Sequence, residues 1–300
     1  DKIVQALADL PQKMMQAGAD IINGLIQGIA SKVSELMAKV KQIANDVANA
    51  LKQALKISSP SAHMADEVGA EISGDPLALN TTRVFPARLL GHREPSGGQV
   101  ECLLLRHVGE DRWDALVHPG QKLKPGARMV FRTAEAELHG EVLEQHFYGR
   151  RTVRLWTPDG APVDAAVDAI GHIPLPPYIK RGDRPSDRER YQTVYARARG
   201  SVAAPTAGLH FTEDVLEDPD RRGIERAEIT LHVGYGTFKP VRAERVEDHV
   251  VDPEPFTVTE DAASRVSRAL RDGRRVIAVG TTTLRALESL DVLDGAVQPG

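Results

Sequence analysis

Apolar residues at Ile22, Ile26, Ile29, Val33, Leu36, Val40, Ile43, Val47, Leu51 and Leu55 recur at spacings of four and three. This is the stripe of a long amphipathic or coiled-coil helix, in which every third or fourth side chain falls on one face. Gly18, Gly24 and Gly28 interrupt its early part, each weakening a helix by roughly 1 kcal/mol relative to alanine. The pattern stops at SSPS, residues 58–61, because Pro60 lacks the amide that a continuing helix needs. A stripe of this length needs a partner surface, so the segment is expected to self-associate or fold onto the next domain.

Beyond residue 91 the period shortens. QVECLLLRHV, RWDALVHP, ARMVFRT, AELHGEVLEQHF and RRTVRLW are strand-like runs separated by Gly, Pro and Asp turn signals, a spacing that predicts an antiparallel barrel or curled sheet over about 92–170. From Gly171 the pattern alternates helix and strand. SDRERYQTVYARA reads as a helix with a capping box of Ser186 and Glu189. Thr212 opens a second helix, ERAEITLHV is a strand, TEDAASRVSRALRDG is a helix ending at Gly273, and RRVIAVG is a buried parallel strand. Thr281, Thr282 and Thr283 then cap the helix LRALESL. The expected architecture is an α/β catalytic domain (74–91 and 171–300) with an inserted antiparallel β-barrel (92–170), preceded by a long amphipathic helical segment (1–73).

Composition narrows the function classes. With 300 residues, 41% hydrophobic and 27% charged, and a net charge of -4, the chain is globular and does not coat nucleic acid non-specifically; any RNA contact has to be local. The single Cys102 excludes an internal disulfide, and no Cys/His spacing suggests zinc, so no metal is expected. Cys102 reads as a small buried hydrophobe. The longest apolar run is broken by Asn23, Gly24, Gln27 and Gly28, too short a stretch to span a membrane, and the expected compartment is the cytoplasm. Basic residues change identity along the chain: residues 1–82 hold seven lysines and no arginine, residues 83–300 hold 27 arginines and four lysines. The reading is two coding origins joined near residue 73, a chimera.

Chemistry concentrates in GSVAAPTAGLHFTEDVLEDPDRRGIERAEITLHVGYGTFKPV, residues 200–241, which packs His210, His232, Tyr235 and glycine turns into one span. Its segments APTAGLHFT and TLHVGYGTFKPV closely resemble the signatures of the S-adenosylmethionine:tRNA ribosyltransferase-isomerase (QueA) family of queuosine biosynthesis. NTTRVFPARLLG, GHIPLPPYIKR, DRERYQTVYA and VIAVGTTTLRALESL agree in order over about residues 75–290. AGADIINGLIQGIASKV and LKISSPSAHMADEVG instead resemble the C-terminal portion of phage tail tape-measure proteins. The alternative reading is therefore a fragment of a tail structural protein fused to a non-functional enzyme fragment.

The first resemblance implies transfer of the ribosyl unit of S-adenosylmethionine, as co-substrate, to a 7-aminomethyl-7-deazaguanine in the anticodon loop of tRNA, leaving epoxyqueuosine and releasing adenine and methionine. Such a reaction needs a base near the ribose C5′, a proton donor for adenine and a pocket tolerant of a cation. His210 and His232, in the signature segments, are the acid/base candidates, with a hydrogen-bonded core role as the alternative for each. Tyr235 and Phe211 are candidates to face the sulfonium or adenine. Thr206, Gly208, Gly234, Gly236 and Thr237 are candidates to shape turns against the ligand. Thr281, Thr282, Arg285 and Glu288 are candidates for ligand hydroxyls or the methionine end, and Arg83 and Arg88 for substrate or phosphate. Trp113 and Trp156 are barrel core or, beside Arg150, Arg151 and Arg154, base-stacking surfaces. Lys180, Arg181, Arg184, Arg188 and Arg190 form a second cationic group, either a solvated face or a phosphate grip. One departure stands out: where the family shows a second histidine after His249, this chain has Asp252. The matched blocks begin inside the family pattern and stop before its last block, so the expectation is a chain with its site motifs but impaired activity.

Overall fold

A computed structural model describes residues 74–300, apart from 222, 240–244, 246–250 and 294–295, together with the five helical positions Gly24, Gln27, Lys32, Lys39 and Gln42. The long helix expected over 1–73, its self-association and its phage-tail resemblance otherwise lie outside the described residues. The chain divides into two compact units, 1–63 and 64–300, and the second is taken by itself.

The first described strands are β1 (Leu77–Asn80) and β2 (Thr82–Val84). The next six, β3 (Arg88–Glu94), β4 (Gln99–Gly109), β5 (Arg112–His118), β6 (Arg128–Arg132), β7 (Glu137–Gln145) and β8 (Arg150–Trp156), close into an antiparallel barrel in the order β3-β4-β5-β8-β7-β6. Alternation explains it. Trp113, Ala115 and Val117 of β5, Met129 and Phe131 of β6, Leu138 and Val142 of β7, and Val153 and Leu155 of β8 all turn inward and are buried. The five runs expected from the sequence all form strands of the barrel. The sixth, β3, is a correction: the sequence pattern leaves residues 88–91 in the α/β part, yet they pair with β4, and the same strand continues through His92, Arg93 and Glu94, which pair with β6 and seal the cylinder. Leu89 and Leu90 stand side by side and Gly91 follows, so no alternation marks the strand, and only closure demands it. Gly91 is where the wall approaches the core, since a Cβ there would lie 2.2 Å from the Val130 carbonyl oxygen and 2.6 Å from the Phe131 ring.

Cys102 is fully buried, and burial pushes its thiol up to about 12, which leaves it an inert core residue. Arg151 also points inward, at the end of β8. Its guanidinium is satisfied by backbone carbonyl oxygens of Leu123 (2.7 Å), Gly120 (2.6 Å), Arg150 (2.8 Å) and His146 (3.2 Å), so the buried charge meets carbonyl dipoles.

After the barrel come α1 (Val163–Ile170), packed on it, a short α2 (Asp187–Arg190), β9 (Ala198–Ser201), α3 (Glu213–Arg221), β10 (Arg226–Leu231), β11 (Phe256–Val258), α4 (Glu260–Arg271), β12 (Ile277–Ala278), α5 (Thr281–Glu288), β13 (Val292–Leu293) and β14 (Ala296–Val297). A four-stranded sheet runs β11-β10-β1-β12, with β1 parallel to both β10 and β12. β1 is buried throughout, as a central parallel strand must be. Ala262, Ala263, Val266 and Ala269 give α4 its buried face. β2 and β9 pair side by side, parallel, where the chain leaves for the barrel and returns.

Three local expectations are corrected. The helix expected from Ser186 onward is one turn long: Ser186 has helical backbone angles and caps nothing, and Glu189 turns to Arg83. Asp187 instead reaches back from the first helical position, accepting from Arg184 N (2.7 Å) and bonding Arg181 at 2.6 and 2.9 Å. Thr281, Thr282 and Thr283 lie inside the first turn of α5, whose preceding residue is Gly280 at φ 83°, and the Thr283 hydroxyl donates back to Val279 O. The strand RRVIAVG keeps only two residues, half-buried, because it is an edge paired with β1 alone. Among the described residues, no helix is long and apolar enough to cross a membrane.

Gly91→Ala is expected to destabilise the barrel by about 1–3 kcal/mol, the usual cost of overpacking a filled core. Chemical denaturation measures it, and an unchanged midpoint would contradict the close approach at Gly91.

Candidate active site

β1 has a parallel neighbour on each side, so its C-terminal end opens on the crevice where strand order reverses, the usual place for a ligand in an α/β sheet. Asn80 ends β1 there, 1% exposed. Its Oδ1 accepts from Leu231 N (3.0 Å) and Thr82 N (3.2 Å), and its Nδ2 donates to Leu231 O (3.0 Å) and Thr282 Oγ1 (3.3 Å). All four bonds a carboxamide can make are used, and they join the ends of β1 and β10 to the first turn of α5.

His232 follows β10 immediately. Its Nδ1 lies 2.8 Å from Thr82 Oγ1, which lies 2.8 Å from Ser201 Oγ, and Ser201 Oγ accepts from Val233 N at 2.7 Å. The ring rests on the backbone of Gly200, where a Cβ would come 2.7 Å from it. Half-burial withdraws water from the imidazole and lowers its pKa from the usual value of about 6.5. The ring is therefore neutral at pH 7, and Thr82 can serve Nδ1 as acceptor or donor, leaving Nε2 as base or proton donor.

His232 and Gly200 line a cavity of about 2060 Å³ between the sheet end and the barrel. Its opposite wall includes Leu103, Trp113, His118 and Arg150 of the barrel. Arg199 sits with its guanidinium 4.7 Å from the Phe85 ring centre. Gly234, Tyr235 and Gly236 form a turn at the rim, fixed by Glu254: Oε1 accepts from Gly234 N (2.7 Å), and Oε2 pairs with Arg285 Nη1 (2.5 Å). Arg285 also donates to Asp252 O (3.0 Å). The Tyr235 ring meets Phe238 edge-on at 5.9 Å. Asp252, standing where the resemblance implies a histidine, pairs with Lys239 at 2.6 Å.

Other candidates lie elsewhere. His210 is exposed at the end of the single turn Thr206–His210, does not line the cavity, and has no hydrogen-bond partner among the described residues. Thr206, Thr237, Thr281 and Glu288 are exposed. Gly208 is a packing glycine, since a Cβ would fall 2.1 Å from Tyr195 Oη. Phe211 is buried with its ring edge-on to Tyr195 at 6.3 Å, a core contact that leaves no face for a ligand. Arg83 pairs with Glu189 (3.2 Å), and Arg88 grips Glu101 with two bonds of 2.8 and 2.9 Å, so Arg88 already has its carboxylate. Trp113 is barrel core against Phe85, and Trp156 lies 5.2 Å under the Arg154 guanidinium, so neither is a free stacking surface. Among the second cationic group, Arg181 is committed to Asp187 and Arg188 to the carbonyls of Asp168 and Gly171.

Sequence reasoning passes over Asn80, Thr82, Ser201 and Glu254. A polar residue ending a fully apolar strand, as Asn80 does, is the one available signal.

Comparison with known proteins gives the family of the chain. The family model described as queuosine biosynthesis protein matches residues 55–298, beginning inside the segment expected to be foreign. A relative from Desulfitobacterium hafniense is 48% identical over 226 residues, covering 75% of this chain and 64% of its own length. One from Heliobacterium modesticaldum is 48% identical over 228 residues, covering 76% and 65%. Both are named S-adenosylmethionine:tRNA ribosyltransferase-isomerase. The chain thus spans less than two thirds of the length of these relatives. A solved structure of S-adenosylmethionine tRNA ribosyltransferase from Thermotoga maritima is 27% identical, covering 74% of this chain and 58% of that one, with a TM-score of 0.28.

Titration of the imidazoles by NMR should place His232 below about 6.5. Gly200→Ala, by displacing the ring from its seat, should move it back up. A His232 that titrates at or above that value in the unsubstituted chain would contradict the described environment.

Proposed function

Since this chain belongs to the queuosine biosynthesis protein family, we propose that it acts as an S-adenosylmethionine:tRNA ribosyltransferase-isomerase, moving the ribosyl unit of its co-substrate onto the 7-aminomethyl-7-deazaguanine of a tRNA anticodon loop in the cytoplasm. The observation that carries the reading is the seat of His232: an imidazole steadied by Thr82 and Ser201, its pKa lowered by half-burial, at the wall of a cavity of about 2060 Å³. The cavity is larger than the roughly 300–1,000 Å³ of an ordinary small-molecule site, which leaves room for an extruded nucleotide beside S-adenosylmethionine, and a base that is neutral at pH 7 is what the acidified C5′ hydrogens beside a sulfonium call for.

In this reading Nδ1–H donates to Thr82, and Nε2 takes the proton from C5′. The imidazolium that forms keeps its Thr82 bond. Tyr235 presents its ring toward the cationic sulfur, and Glu254 with Arg285 holds the Gly234–Gly236 turn against the ligand. Arg83, Thr206, Thr281, Thr282 and Glu288 remain candidates for the outer parts of the substrates. His210, outside the cavity, has no part in the proton transfer.

Adenine release from S-adenosylmethionine in the presence of substrate tRNA tests this. His232→Ala should lower kcat by about 10²- to 10⁴-fold, the usual contribution of a positioned acid or base, with the fold retained. The rate should fall on the acid side as the imidazole gains a proton. Because the pKa of His232 is lowered, that limb should lie below pH ~6.5. Unchanged turnover in the variant would remove His232 from its role, and no adenine release by the unsubstituted chain would remove the activity.

A further inference from the structure

The rings of Phe147 and Tyr148 are 87% and 98% exposed, more than any other large hydrophobic residue described. They are neighbours on the turn between β7 and β8. Tyr148 has φ 55°, ψ 36°, left-handed backbone that costs an L-residue about 1–2 kcal/mol. Neither the exposed rings nor the strained tyrosine adds anything to the barrel core.

The turn is nevertheless held stiffly. The Arg151 guanidinium bonds carbonyls of His146 and Arg150 within it, and of Gly120 and Leu123 on the adjoining loop. His146 N donates to Arg150 O at 2.9 Å, and His146 Nε2 lies 2.9 Å from Thr152 Oγ1. A rigid platform loses little freedom when something settles on it. Phe147, Tyr148 and Gly149 also line the cavity that holds His232. On the adjoining loop, Lys122 and Lys124 are exposed.

We propose that the Phe147–Tyr148 tip is a stacking platform for the unpaired bases that flank the base inserted in the cavity. The inference rests on the tRNA reading above. Aromatic faces accept any unpaired base, whereas a duplex keeps its base faces inside, and the two lysines suit the loop's phosphates. The occupant is therefore a single-stranded RNA loop.

The test compares the unsubstituted chain with the double variants Phe147→Ala/Tyr148→Ala and Phe147→Trp/Tyr148→Trp. Each is titrated with a labelled anticodon stem–loop RNA, with a fully paired RNA, and with S-adenosylmethionine. The alanine pair should weaken stem–loop binding about 10- to 100-fold, more than it weakens S-adenosylmethionine binding, while leaving the unfolding midpoint unchanged, and the tryptophan pair should bind the loop as the unsubstituted chain does. Stem–loop binding that survives the alanine pair overturns the platform and leaves the tRNA reading standing. No RNA binding by the unsubstituted chain overturns both. A concentration-dependent dimer that the alanine pair dissolves overturns the RNA occupant in favour of a second copy of the chain.

Discussion

A parallel sheet brings its strand ends together but leaves their last amides and carbonyls without partners, and here one buried side chain supplies them. Asn80 spends both donors and both acceptors on Leu231, Thr82 and Thr282. Each buried group left unmet would cost about 1–3 kcal/mol, so the ends of β1 and β10 and the start of α5 are fixed as a unit. His232 is the next residue after the strand Asn80 ties down, and Thr82 is two residues beyond Asn80. The imidazole's position is set before any ligand contributes.

The same economy holds around the rim. Glu254 is a carboxylate 8% exposed in its side chain, and it divides its two oxygens between a backbone amide and Arg285. The glycines of the turn leave room for that carboxylate and for Asp252, which a Cβ on Gly236 would approach to 3.3 Å. The departure from the family pattern at Asp252 is accommodated by Lys239 rather than left as an unpaired acid.

How much of the fold is legible depends on what a linear pattern can carry. The alternation of RWDALVH and RRTVRLW is enough for β5 and β8, because each buries every second residue. β3 escapes notice because Gly91 and His92 break its alternation, and its partners are found only once the barrel closes. His232 is found from its motif, while Thr82 and Ser201 are not. Thr82 meets the imidazole across 150 positions of sequence, and Ser201 reaches it only through Thr82, so nothing local in either residue announces the contact. Phe211 and Gly208 mislead for the opposite reason. They sit inside a chemically dense motif, yet their neighbours are Tyr195 and Thr193 of the core.

The ribbon of β2 and β9 has a role its short length conceals. These strands are the seam through which the barrel is spliced into the sheet, and Thr82 and Ser201, the two hydroxyls behind the imidazole, both belong to it. Side chains alternate along a strand, so a slip of one residue on either side of the seam would turn a hydroxyl to the opposite face. An insertion near Phe85 or Arg199 would then take the hydroxyl support from His232 without touching it, whereas the β3–β4 and β6–β7 hairpins, which do not line the cavity, are free to lengthen. The mount of the inserted domain and the seat of the His232 imidazole are one piece of structure, and drift in barrel sequence is constrained from its root outward.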